Sequence, residues 1–113
     1  MHIKSSGEVI MVEDGVVHLA FDLTGSDAGY LIIMKAGNGN PDPDEFFGAD
    51  HYVEVKDQLY GRHGGLEMLT VPNDHAVVVR LSTGVPGVGR EISIATAEPL
   101  SSEMREHLRQ IER

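Results

Sequence analysis

The chain has 113 residues, enough for one core but not comfortably for two, so a single domain spanning residues 1–113 is expected. Hydrophobic residues make up 41% and charged residues 24%, an ordinary soluble mixture, while aromatics at 5% with no Trp leave the core to aliphatic side chains. The absence of cysteine excludes disulfides, a thiolate nucleophile and cysteine-held zinc, and the net charge of −9 disfavours nucleic acid and anionic lipid as partners.

The charge is uneven. Residues 1–55 hold ten acids against Lys4 and Lys35, and residues 56–113 hold eight acids against seven bases. Such a field attracts cationic partners or metal ions and speeds their capture. No apolar run reaches the roughly 18 residues that span a bilayer, and the first residues lack the apolar stretch of a secretory signal, so the cytoplasm is the expected location.

Residues 8–13 and 16–23 are β-type runs separated by Asp14-Gly15, a pair suited to a tight hairpin because both tolerate positive φ. In the second run Val17, Leu19, Phe21 and Leu23 should face the core, which leaves His18 on the surface. Residues 24–29 read as a turn. Residues 30–35 form a nearly continuous apolar run, expected to be a central strand buried on both faces.

Residues 37–50, GNGNPDPDEFFGAD, place Asn38, Asn40, Asp42 and Asp44 at alternate positions, as a calcium loop spaces its oxygen ligands. A calcium loop also needs Gly at its sixth position and Glu at its twelfth. Counting from Asn38 gives Pro43 and Ala49, and counting from Asn40 gives Glu45 and His51, so the pattern fails. Asp42-Pro43-Asp44-Glu45 instead supplies a capping acid, a proline at the first helical position and a glutamate three residues after the cap. A short helical turn near 42–48, ended by Gly48, is expected. Phe46 and Phe47 on such a turn point about 100° apart, so one should be buried and the other available to a partner.

Residues 51–55 read as a strand with Tyr52 and Glu54 on the face opposite His51, Val53 and Val55. Gly61, Gly64 and Gly65 suggest a bulge or a close backbone crossing. Residues 66–71 and 76–81 form a second hairpin, with Pro72 closing its first arm. Residues 82–89 look too rich in glycine for regular structure, and residues 90–96 resume alternation. At the end, Leu100, Met104, Leu108 and Ile111 share one helical face over residues 101–112, with Ser101 as the cap and Arg105, Arg109 and Arg113 on an outer row. The fold class is therefore α+β: a mainly antiparallel sheet of six or seven strands closed by an amphipathic helix.

Catalytic signals are weak. His63-Gly64-Gly65 resembles an oxyanion loop, but no G-x-S-x-G elbow accompanies it. His51, His63 and His75 recur every twelve residues, yet zinc sites usually include a close pair such as H-x-x-x-H. No catalytic residue, cofactor or metal ligand is assigned.

The order of YLIIMK (30–35), an acidic insert ending in Gly48, DHYVEV (50–55), YGRHGGLEML (60–69), AVVVRL (76–81), EISIAT (91–96) and LSSEMREHLRQI resembles the immunity protein 10 family of bacterial polymorphic toxin systems. Its more distinctive parts are the Asp50-x-Tyr52-x-Glu54 strand and the stretch from Tyr60-Gly61 to Glu67. The resemblance implies a small cytoplasmic antidote that binds a cognate protein toxin, with no catalysis and no cofactor. The acidic half fits a cationic partner. Asp42, Asp44, Glu45, Phe46, Phe47, Asp50 and Tyr52 are the expected contact residues. Two other readings stand beside it: a small metal-dependent enzyme or ligand-binding domain using His51, His63 and His75, and a homo-oligomer joined through an exposed sheet edge or an aliphatic face.

Overall fold

The longer strands of this chain carry one apolar face each, and such a face is stable only when pressed against another. The computed structural model, which describes residues 1–36 and 50–113, meets that demand with two sheets around one core. The strands are β1 (His2–Ser5), β2 (Gly7–Glu13), β3 (Val16–Leu23), β4 (Gly29–Ala36), β5 (Tyr52–Val55), β6 (Arg62–His63), β7 (Leu66–Asn73), β8 (Ala76–Val85) and β9 (Gly89–Thr96). A 3-10 turn, Gln58–Tyr60, precedes β6, and helix α1 (Ser102–Ile111) follows β9.

The expected single sheet of six or seven strands is corrected to a four-stranded sheet, β1-β9-β8-β7, and a five-stranded sheet, β2-β3-β4-β5-β6. The chain passes from the first to the second at Ser5–Ser6–Gly7 and returns at Gly64-Gly65, between β6 and β7. Ser6 donates its amide to the Asp22 carbonyl at 3.1 Å, and the Gly7 amide donates to Ser5 Oγ at 3.2 Å, so the corner satisfies its own polar groups. β1 pairs parallel with β9, and the other strand pairs are antiparallel.

The Asp14-Gly15 hairpin is present, with φ of 52° and 77°, both left-handed as a two-residue turn requires. Val17, Leu19, Phe21 and Leu23 are all buried, as the alternation demanded. β4 departs from expectation, because Leu31, Ile33 and Lys35 are buried while Tyr30, Ile32 and Met34 on its other face stay half-exposed. Lys35 is only 2% exposed, and its Nζ donates to the Ala36 carbonyl at 3.1 Å. Burial pushes its pKa down.

The second hairpin is longer than expected. β7 runs past Pro72 to Asn73 through two register shifts, between Leu66 and Met68 and between Thr70 and Asn73. β7 is an edge strand, where a proline at an irregular position removes no ladder bond that the sheet needs. The glycine-rich residues 82–89, expected to be irregular, mostly extend β8 and β9 into a ribbon, with Val85 opposite Gly89 and a turn at Pro86-Gly87.

Helix α1 conforms closely to the sequence. Ser101 Oγ accepts the Met104 amide at 3.1 Å, and Leu100, Met104, Leu108 and Ile111 join the core shared by both sheets. The expected basic row is tied into the fold: Arg105 pairs with Asp74, Arg109 with Glu106 and Arg113 with Asp50. Among the described residues no helix is long and apolar enough to cross a membrane. The turn expected near 42–48 lies outside the described residues.

Candidate binding face

The two sheets differ on their outward sides. On the four-stranded sheet, Arg80 pairs with Glu91 at 3.1 Å and Arg90 with Glu67, as on an ordinary solvated surface. On the five-stranded sheet, strand register aligns Met11, His18, Met34, Tyr52 and His63 in one row across all five strands. The next row holds Val9, Ala20, Ile32 and Glu54. This face is largely apolar, with a carboxylate near its centre.

Glu54 is the informative residue. It is 7% exposed, and its two oxygens each accept a phenol: Tyr30 at 2.5 Å on Oε2 and Tyr52 at 2.7 Å on Oε1. Burial and the neighbouring carboxylate raise both tyrosine pKa values, that of Tyr52 to about 12, so the phenols remain protonated donors at neutral pH. Each carboxylate oxygen has two lone pairs, leaving acceptor capacity for a guest.

Tyr52 is held by shape as well as by its hydrogen bond. A Cβ placed on Gly61 would lie 1.8 Å from the Tyr52 hydroxyl oxygen, so only glycine leaves room for the ring. Its other neighbour is His63, with ring centroids 5.1 Å apart and planes tilted by 57°. The Tyr52-x-Glu54 strand and Tyr60-Gly61 junction, nearly ten residues apart in sequence, therefore form one packed unit.

Beside this unit lies an open depression of about 580 Å³. Tyr52, Glu54 and His63 form one side, Val16, His18 and Met34 line its floor, and Glu13 and Asp14 stand at the hairpin end. Among the described residues that line it there are three carboxylates and neither lysine nor arginine. Such a site favours a cation with an apolar stem.

Comparison with family models, curated proteins and solved structures finds no match for this chain.

Of the contact residues expected from sequence, Tyr52 lies on this face. Asp50 does not serve it directly: it accepts from Arg113 and from His51 Nδ1, the latter at 2.6 Å. Asp42, Asp44, Glu45, Phe46 and Phe47 lie outside the described residues. The three histidines are not brought together. His51 is buried, donating through Nδ1 to Asp50 and accepting the Leu66 amide at 3.0 Å on Nε2, so neither nitrogen is available to a metal. His63 stands on the outer face, and His75 sits in the β7–β8 turn with Nδ1 3.2 Å from the Thr96 carbonyl. Among the described residues no three His, Asp or Glu side chains group as a metal site would need.

Sequence reasoning missed Tyr30, Glu54, Met34 and the Glu13–Asp14 corner. Alternation had already put Tyr52 and Glu54 on one face and His18 on a surface, but pairing Tyr30 with Glu54 requires the β4–β5 register.

Proposed function

We propose that this chain is a non-catalytic binding protein that captures a cationic protein partner on the outer face of its five-stranded sheet. The resemblance to the immunity protein 10 family drawn from the sequence supports a bacterial toxin as that partner and a cytoplasmic antidote as the role. The observation that carries the reading is Glu54, a carboxylate fixed by two phenols and bordering a depression whose other described charges are Glu13 and Asp14. An arginine or lysine entering there would meet the carboxylate with its charge and the Tyr52 and His63 rings with its flank. The acidic first half of the chain would accelerate the encounter, and a toxin whose cleft holds phosphate would present the complementary sign.

The test is co-purification with the product of the neighbouring reading frame, followed by affinity measurement across ionic strength. Glu54→Gln should weaken binding at least about ten-fold, equivalent to ~1.4 kcal/mol, and reduce the salt dependence. Replacing Asp42, Asp44 and Glu45 together with alanine asks separately whether residues 37–50 contribute. If both sets leave affinity and salt dependence unchanged, the reading fails.

A further inference from the structure

Sheet edges are sites of unwanted pairing, and proteins usually protect them by short length, lysine, proline or bulges. Three of the four edges here are protected. β1 has four residues and carries Lys4, β6 has two residues and includes Arg62, and β7 has two register shifts and Pro72. β7 also exchanges backbone hydrogen bonds with the chain end, Leu69 to Arg113 at 3.0 Å and Arg113 to Leu69 at 3.1 Å.

β2 is guarded only by the charges near its two ends, Glu8 and Glu13. Its sequence, GEVIMVE, pairs with β3 over seven consecutive residues without a shift and contains neither lysine nor proline. It also carries three of the large exposed hydrophobic side chains among the described residues: Val9 at 60%, Met11 at 50% and Val12 at 61%. An edge of unbroken register with three exposed apolar side chains suits a second strand.

We infer that the β2 edge pairs antiparallel with β2 of a second copy of this chain, joining two five-stranded sheets across a two-fold axis. Symmetry limits the possible registers, because a strand pairing antiparallel with its own copy must place one residue opposite itself. Centring on Ile10 overlaps the whole strand, Gly7 to Glu13, and places Val9 opposite Met11, Glu8 opposite Val12 and Glu13 opposite Gly7. No acid then faces an acid. Centring on Met11 sets Glu8 against Asp14, and centring on Glu8 sets that carboxylate against itself. Glu8 also has a partner of its own, accepting the Ser101 amide on Oε1 at 3.1 Å. Charge thus rules out the Met11- and Glu8-centred registers, and overlap favours Ile10 over the Val9- and Val12-centred ones, in which no acid faces an acid either.

The pairing uses the free edge of β2, whose last residue, Glu13, also borders the depression beside Glu54, and it does not depend on a toxin partner. Salt separates the two: each copy carries −9, so added salt should tighten self-association while weakening capture of a cation.

Sedimentation of the full chain over a concentration series tests the pairing. A monomer–dimer equilibrium is expected, shifting toward dimer as salt rises. Met11→Lys and Val9→Lys, both at exposed positions, should retain the fold by circular dichroism and raise the dimer dissociation constant at least ten-fold. Because the chain has no cysteine, single-cysteine variants report the register. Ile10→Cys should form a disulfide-linked dimer on mild oxidation, and Leu59→Cys, exposed outside the edge, should not. Should Ile10→Cys disturb the fold, mixing Val9→Cys with Met11→Cys chains offers the same register check, the mixture cross-linking faster than either alone. A chain that stays monomeric at millimolar concentration overturns the proposal. So does a dimer indifferent to Met11→Lys, or one whose cross-links follow another register.

Discussion

At the scale of single residues, Gly61 has a role that its backbone does not reveal. Its φ of −69° is open to any amino acid, yet an added methyl group would collide with the Tyr52 ring. Gly61→Ala should therefore destabilise the fold by about 1–3 kcal/mol through steric displacement, readable as a lower urea midpoint. Tyr52 would leave its place against Glu54, so affinity for a cationic partner should fall with it. His51 gives a pH dependence of defined sign. Burial, assisted by the nearby Arg113 charge, lowers its pKa from 6.5 against the opposing pull of Asp50. Protonation would also end its acceptance of the Leu66 amide. A histidine kept neutral in the fold contributes stability that is fully present above its ordinary pKa and lost as pH falls through the lowered one. His107, lowered by burial and by Lys35, acts in the same direction. Unfolding free energy should decline as pH falls from neutral through the ordinary histidine range, with proton uptake on unfolding there. A flat profile would contradict the assignment of His51 as a buried neutral group.

At the scale of elements, the sequence was most readable where one residue pair or one period decides the outcome. Asp14-Gly15 determines a hairpin by positive φ alone, and Ser101 with the Leu100, Met104, Leu108 and Ile111 stripe determines a capped helix. Ser101→Ala should cost ~1 kcal/mol, the usual consequence of losing a side-chain acceptor for a helix amide, and urea denaturation would measure it. Local pattern carried little information in two other places. β1 offers one inward apolar residue, Ile3, too few to show a period, and its partner β9 is about ninety residues away. The ribbon at residues 82–89 has a short apolar stretch to bury and many glycines, so its hairpin pairing left a weak imprint on composition.

At the scale of the molecule, alternation told which residues face inward but not which sheet would receive them. A strand with one apolar face reads the same in one sheet of seven strands as in two packed sheets, and the choice depends on the Ser5–Gly7 corner and on pairings remote in sequence. The candidate face was legible to the same degree. Tyr52 and Glu54 could be assigned to one side of a strand, whereas Tyr30, Gly61 and the Glu13–Asp14 turn reach them through register and chain reversal. The excess of acid in residues 1–55 was visible from counting, and the fold concentrates part of it at one end of the sheet.

The phenols around Glu54 also make the molecule its own spectroscopic reporter. The chain contains three tyrosines and no tryptophan, and two of those tyrosines donate to this one carboxylate. Near-ultraviolet absorption and emission thus come largely from chromophores bound to the proposed contact point, with no indole to mask them. A guest that draws Glu54 away from either hydroxyl would alter the phenol emission directly, so occupancy could be followed in unlabelled protein, against tryptophan light from any partner that contains it.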